Sequence, residues 1–197
     1  MGLKQTVYSV LIVSASDTFT SSLIALMPES RFSPIHKVKD CGAAGRTLSG
    51  REYDLILINS PLPDGNGQSF AIDICSGRSS AVLMMIRSEL HEEIKDKVSE
   101  HGVFTLPKPI VKSTFLTALD WMTATRERLR KHEAKAQSVQ EKMEEIRLVN
   151  RAKWLLIREL KMDEPQAHRY IEKQAMDQCI TKKEIAQTLI RTYEKGT

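Results

Sequence analysis

Met122, Thr125, Leu129, His132, Ala136, Val139, Met143, Ile146 and Asn150 follow one another at alternating steps of 3 and 4. This is an a/d heptad seam held for about four heptads. No Gly or Pro interrupts it, and the positions between are largely Arg, Lys, Glu and Gln. One helix cannot bury such a seam by itself. Begun near Ser113 and carried to Leu160, the helix spans roughly 70 Å at 1.5 Å per residue, too long for the edge of one compact domain. The spacing therefore predicts a parallel homodimer stalk joining a module before it to a module after it. The dimer seam is assigned to Met122, Leu129, Ala136, Val139, Met143 and Ile146, with polar Thr125, His132 and Asn150 setting the register. The competing expectation is one long helix packed on its own domain.

The chain's 197 residues suffice for one domain or two small ones, and 41% apolar with 27% charged residues is the composition of a folding chain. No apolar run reaches the roughly 18 residues that span a bilayer. Met1–Val13 has one Lys and no small-residue cleavage site, so it does not read as a signal peptide. Cys41, Cys75 and Cys179 are far apart and form no metal spacing with His, which fits reduced thiols in the cytoplasm and no metal or other cofactor. The net charge of +4 is uneven: residues 1–125 hold 12 Lys/Arg against 13 Asp/Glu, and residues 126–197 hold 17 against 12. That excess favours a polyanion partner for the second half, although a solvated helical surface has the same sign.

Before the seam, strands alternate with helices. Apolar runs at Val7–Val13, Tyr53–Ile58, Ala81–Ile86 and Val103–Leu106 read as buried strands, with a weaker one at His36–Val38. Helical spacing appears at Phe19–Met27, Ala43–Leu48, Phe70–Cys75 and Glu89–Ser99, and Pro107-Lys108-Pro109 reads as a stiff turn. The pattern predicts an α/β domain over residues 1–122, a doubly wound parallel five-stranded sheet of the flavodoxin-like kind, with its working site beyond the carboxyl ends of the strands.

The run Asp54-Leu-Ile-Leu-Ile-Asn-Ser-Pro-Leu-Pro-Asp-Gly65 and the later Lys108-Pro109 resemble the third strand, following loop and Lys-Pro of two-component receiver domains. The resemblance covers residues 7–122 and implies the receiver fold. It also implies a degenerate site. The position of the phosphoacceptor Asp holds Asn59, whose neutral amide is no nucleophile toward phosphorus. The two acidic Mg²⁺ ligands expected after strand one are replaced by Ser14 and Ala15, and a hard cation wants carboxylates. The hydroxyl residue of strand four is Ile86, and only Lys108 survives. Phosphoryl transfer has lost its parts, and no catalytic residue is assigned. Asp17 and Asp64 fit a helix start and a turn. Lys108 either bonds Ser14 or the Asn59 oxygen, or meets an anionic ligand.

The seam, assigned as a linker over residues 123–150, fades at Lys153. Residues 151–197 then read as a small three-helix module whose first helix continues the stalk. Lys161 and Met162 form a break. Asp163-Glu-Pro-Gln166 and Thr181-Lys-Lys-Glu184 are two capping boxes, and Ile180 with Ile185 occupy staple positions. Arg151-Ala-Lys153, Leu155-Leu-Ile157, the Pro-x-Ala167 start, Gln174-Ala-Met-Asp177 and Lys183-Glu-Ile-Ala186 resemble the ANTAR domain, a three-helix RNA-binding module of transcription antiterminators. The family usually has a small residue where Trp154 stands. The resemblance implies a non-enzymatic regulator of transcription antitermination that binds paired stem-loops of a leader transcript. The lost phosphorylation site leaves control to a sensor protein or small ligand at the receiver-like domain.

Lys153, Trp154, Arg169, Lys173, Lys182 and Lys183 are the candidate RNA contacts: the cations for phosphates, and Trp154, like Tyr170, for stacking on unpaired bases. The alternative is a solvated surface for the cations and a core position for both aromatics. Ala152, Ala167, Ala175, Met176 and Ala186 read as core. A DNA-binding regulator is the rival reading, since Thr181–Leu189 looks like the first helix of a helix-turn-helix, but Ile190–Thr197 leave no room for a recognition helix. A scaffold without nucleic acid is the other.

Overall fold

The computed structural model describes residues 6–194. It divides into two compact units, Met1–Lys131 and His132–Thr197.

Five parallel strands form the first unit: β1 (Tyr8–Val13), β2 (Phe32–Val38), β3 (Leu55–Asn59), β4 (Ala81–Arg87) and β5 (Phe104–Lys108), in sheet order β2-β1-β3-β4-β5. Between them lie α1 (Asp17–Ile24), α2 (Cys41–Gly50), α3 (Gln68–Gly77) and α4 (Ser88–Ser99), and α5 (Lys112–Leu160) follows. Strand β5 runs on through Pro107 and Lys108, so those residues belong to the sheet rather than to a turn; Ile86 pairs with Pro107 across the ladder. Strand β2 begins at Phe32, earlier than its weak hydropathy suggests, because as an edge strand it needs only one apolar face.

Strand periodicity sorts the core into two layers. Val10, Ile12, Leu55, Leu57, Leu83 and Met85 pack with α1 and with Phe115, Ala118, Leu119 and Met122 of α5. Leu11, Val13, Ile56, Ile58, Val82, Met84 and Ile86 pack with α2, α3 and α4 on the other face. Both faces are covered, which is why the central strands are apolar without alternation.

Met122 corrects the sequence reading. It is fully buried in this core, so it cannot also face a second chain. Its 3/4 spacing from Phe115, Ala118 and Leu119 is the same whether a helix packs on a sheet or on a twin. The unit also extends to Lys131, nine residues past the expected boundary at 122.

An acidic latch accounts for that extension. Asp54, at the amino end of β3, accepts from the backbone N–H of Ser9 (3.0 Å) and from its hydroxyl (3.0 Å). Its other oxygen takes Arg126 Nε at 2.9 Å and Arg130 Nη2 at 3.0 Å. Arg126 and Arg130 are one turn apart on α5, so one carboxylate holds the helix against the foot of the sheet.

The second unit contains the remainder of α5, α6 (Glu164–Asp177) and α7 (Lys182–Glu194). Lys161 takes the left-handed conformation (φ 55°) and ends α5. Asp163 caps α6 through the expected reciprocal box with Gln166, and Thr181 with Glu184 does the same for α7. Helix α6 closes with Cys179 left-handed (φ 53°) while Ile180 N–H bonds Ala175 C=O at 3.1 Å, a Schellman ending. The core is Val149, Ala152, Leu156, Ala167, Ile171, Ala175, Ile185 and Ala186. Its four alanines keep the helices close, and larger partly buried residues, Tyr170 and Leu189 among them, close its rim.

Candidate functional site

The carboxyl ends of β1, β3 and β5 bring Ser14, Asn59 and Lys108 together. Lys108 Nζ donates to Asn59 Oδ1 at 2.9 Å and also to the Ser60 carbonyl. Asn59 Nδ2 donates to Ser14 Oγ at 3.0 Å. Ser14 Oγ in turn accepts from Ser16 N–H at 3.2 Å, and Ser16 caps α1. Amide and hydroxyl groups thus fill the place where a receiver needs carboxylates and Mg²⁺, and they satisfy one another. Burial, with Arg87 nearby, lowers the Lys108 ammonium below the ordinary lysine range. Ile86 closes the end of β4 fully buried, and Ala15 is exposed.

The two spare aspartates stand apart from this chain of bonds. Asp17 opens α1 and lies 4.0 Å from Lys39. Asp64 accepts from Gly42 N–H at 3.0 Å, and the N–H groups of Cys41 and Gly42 hold its carboxyl below the usual range. Among the described residues, no three His, Cys, Asp or Glu gather as a metal site. Burial pushes the Cys41 and Cys75 thiols up to about 11, so both stay protonated near neutral pH. Beside Lys108, Phe19, Leu23, Leu26 and Ile110 line an apolar cleft of about 440 Å³.

In the second unit the expected cations divide. Lys153, with its side chain only 16% exposed, pairs with Glu164 at 2.6 Å and ties the start of α6 to α5. Lys182 pairs with Glu172 at 2.6 Å and Lys183 with Glu144 at 3.1 Å. Arg169 and Lys173 are exposed on α6. The charge excess is also smaller here than the split at residue 125 suggests. Residues 132–197 hold 13 Lys/Arg against 11 Asp/Glu, because Arg126, Arg128, Arg130 and Lys131 fall within the first unit.

Two core expectations fail. Trp154 and Met176 are each 72% exposed, since Trp154 lies two residues round α5 from buried Ala152 and Met176 lies off the Ala167–Ile171–Ala175 row. Met176, Cys179 and Ile180 instead line an open cleft of about 750 Å³. Along α5, Val139, Met143 and Ile146 are 50%, 67% and 60% exposed, so this part of the seam is uncovered within one chain; Ala136 is exposed and Leu129 half-buried.

Sequence reasoning passed over Asp54 and its two arginines. The signal was present as Arg126 and Arg130 at i, i+4 on a helix following a strand that starts with Asp.

A parallel five-stranded α/β unit with Ser14, Asn59 and Lys108 joined at its strand ends, followed by a three-helix unit, defines a receiver-fold protein with a second, helical unit. Residues 137–190 match the ANTAR domain family, and the first unit has the receiver fold. It is 23% identical over 183 residues to the transcriptional regulatory protein PdtaR of Mycobacterium tuberculosis, covering 93% of this chain and 89% of that protein. The signal receiver domain of an HD domain-containing protein from Pseudomonas fluorescens superposes with a TM-score of 0.58 at 19% identity, over 66% of this chain and 96% of that one. The chemotaxis response regulator CheY4 of Vibrio cholerae gives a TM-score of 0.51 at 20% identity, over 59% of this chain and 99% of that one. Among the described residues, no helix is long and apolar enough to cross a membrane.

Proposed function

We propose that this chain is a cytoplasmic, dimeric, RNA-binding regulator of transcription that acts by antitermination. Its ANTAR-domain unit binds paired stem-loops of a leader transcript and favours the hairpin that lets polymerase read on. Its receiver-like unit takes a sensor protein or small ligand in place of Asp phosphorylation. The observation that carries this reading is the ANTAR match over residues 137–190. The relative that spans nearly the whole chain is itself a transcriptional regulatory protein.

Dimerisation is supported by the uncovered row Val139–Met143–Ile146 on α5. Full burial of each such side chain favours association by about 1.5–3 kcal/mol. Control by a ligand is supported by the Lys108–Asn59–Ser14 bonds, which leave no carboxylate at the phosphoacceptor position, and by the apolar cleft beside Lys108. In the RNA surface, Arg169 and Lys173 offer exposed charge, whereas Lys153, Lys182 and Lys183 reach a phosphate only by exchanging a glutamate for it.

The test compares a two-hairpin RNA, its single hairpin and duplex DNA of equal length in gel shifts at two salt concentrations. Two linked hairpins are expected to bind far better than one, because a dimer makes the second contact intramolecular, and affinity is expected to fall with salt. Duplex DNA binding as tightly as the paired RNA refutes the reading.

A further inference from the structure

The cleft of about 440 Å³ beside the strand ends of the first unit falls within the range of small-molecule sites, roughly 300–1,000 Å³. Phe19, Leu23 and Leu26 form one wall. They recur at steps of 4 and 3, so they share one side of α1 and of the turn that ends it, where Leu26 N–H bonds Leu23 C=O at 3.0 Å. Pro109 and Ile110, in the link between β5 and α5, form the facing wall. Phe19, Leu26 and Ile110 are only half-buried, so apolar surface lies open there for a ligand to cover.

The charged residues of the lining are both cations, Lys108 and Lys112. Lys108 Nζ stands 5.9 Å from the centre of the Phe19 ring, which places its ammonium at the cleft wall. It donates to Asn59 Oδ1 at 2.9 Å and to the Ser60 carbonyl. Both acceptors are neutral, and an ammonium has three donors. Burial and nearby Arg87 disfavour the charge of Lys108, and among the described residues no carboxylate pairs with it. Lys112, at the start of α5, is exposed and likewise makes no ion pair among the described residues. The cleft therefore offers an apolar body and a cationic rim that lacks an anion. The anion should be small. A carboxylate has two oxygens, for the remaining N–H of Lys108 and for Lys112. A phosphate monoester brings more charge and more oxygens than these donors satisfy, and burying unsatisfied charge is costly. We propose that this cleft binds a small apolar monocarboxylate, with its apolar body against Phe19, Leu23, Leu26 and Ile110 and its carboxylate on Lys108 and Lys112. The proposal rests on the reading that the receiver-like unit takes a small ligand, and it gives that ligand a chemical class.

The probes are butyrate, hexanoate and octanoate, with octan-1-ol as the uncharged match. Each is titrated into isotope-labelled full-length protein without RNA and followed by amide chemical shifts. Octanoate is expected to bind with a Kd of roughly 0.1–1 mM and to move the amides of α1 and of the link before α5. Each CH₂ removed is expected to weaken binding about three- to four-fold. Octan-1-ol is expected to bind about ten-fold more weakly or worse, because hydrogen bonds to charged groups are the stronger ones. Lys108→Gln with Lys112→Gln is expected to weaken octanoate by about the same factor and to leave octan-1-ol unchanged, since a glutamine at position 108 still donates toward its neutral acceptors. Leu26→Asp is expected to abolish binding of both. Circular dichroism is expected to show these variants folded, because Lys112 is exposed and Lys108 and Leu26 are half-buried.

Octanoate that binds no tighter than octan-1-ol, that is indifferent to the double lysine substitution, or that moves only amides of other elements refutes the proposal. So does the absence of any shift well above the expected Kd, the result expected of a face that docks protein instead. Neither outcome touches the RNA reading, whose gel shifts are read without the carboxylate. Conversely, octanoate binding with its full lysine dependence upholds the cleft even if the protein retains no RNA.

Discussion

Asp54→Asn removes a charge from the foot of the receiver-like unit without changing side-chain size. The wild-type carboxylate accepts four hydrogen bonds, two from Ser9 on one oxygen and one each from Arg126 and Arg130 on the other. However the new amide turns, its NH₂ group faces one pair of donors. The least costly choice keeps Ser9 and gives up the arginines. Arg130 is 40% exposed and its loss counts for about 0–1 kcal/mol. Arg126 and Asp54 are only 12% and 13% exposed, and a charge-assisted bond there counts for about 1.5–3 kcal/mol. The sum is a loss of about 3 kcal/mol, at the lower edge of the range for breaking a buried pair. In full-length protein carrying Trp154→Phe, Trp121 on α5 reports the first unit. Its urea midpoint is expected to fall by about 1–2 M. Burial raises the Asp54 carboxyl, but Ser9 and Arg126 outweigh it and hold it below the ordinary range. A group lowered on folding stabilises above the unfolded value of about 3.9, and that contribution disappears as pH falls through the folded value. The gap between wild type and Asp54→Asn is therefore full at pH 7 and closes in acid. A loss under about 1 kcal/mol, or a gap that does not narrow at low pH, refutes the latch.

Two further outcomes test the seam and the switch. Val139→Asp with Met143→Asp is expected to convert a dimer at about tens of micromolar into folded monomers in sedimentation, because unpaired carboxylates in a seam are costly; Met122→Asp is expected to unfold the first unit instead, and a wild type that sediments as a monomer rejects the stalk. Acetyl phosphate or beryllium fluoride with Mg²⁺ is expected to leave the mass of the protein unchanged, and Asn59→Asp alone is expected to restore little, since Ser14 and Ala15 still give Mg²⁺ no carboxylate; an acid-labile, hydroxylamine-sensitive phosphate adduct refutes this.

The parallel sheet was legible because Val10–Val13, Leu55–Ile58 and Ala81–Ile86 are buried on both faces, and such strands are apolar throughout. Asn59 and Lys108 were legible through the resemblance of the Asp54–Gly65 run and of Lys108-Pro109 to receiver domains, although Lys108 was expected in a turn and lies in β5. The caps at Asp163 and Thr181 were legible because a capping box is local in sequence. What escaped was whatever depended on a partner distant along the chain. Asp54 meets Arg126 and Arg130 only after the sheet and α5 have docked. Lys153, Lys182 and Lys183 look alike as isolated cations, yet each meets a glutamate 10 to 39 positions away. Met122 and Met143 are indistinguishable as heptad residues, and only packing separates a core residue from an uncovered one.

Helix α5 shows why the period alone could not decide. Its apolar rows at Phe115–Met122, Val139–Ile146 and Val149–Leu156 all advance by 3 and 4, and a heptad count strings parts of them into one seam. A straight helix drifts about 20° per heptad against a strict seven-residue repeat, so over four heptads a single row turns through about 80°. Successive stretches can thus present different neighbours to the same nominal seam. Met122 meets a sheet, and Val139, Met143 and Ile146 meet solvent in the single chain; Val149, Ala152 and Leu156, which pack with α6 and α7, stand off the seam on another face of the helix. The polar remainder sorts by the same geometry. The guanidinium groups of Arg126 and Arg130 turn inward to Asp54, while Arg147, Arg151 and Arg158 stay outward around Trp154. Identical residue types at identical spacings therefore lock the fold in one stretch and stay exposed in another, and burial marks the difference: Arg126 is 12% exposed beside Asp54, whereas Arg158 is 63% exposed and pairs only with its neighbour in sequence, Glu159.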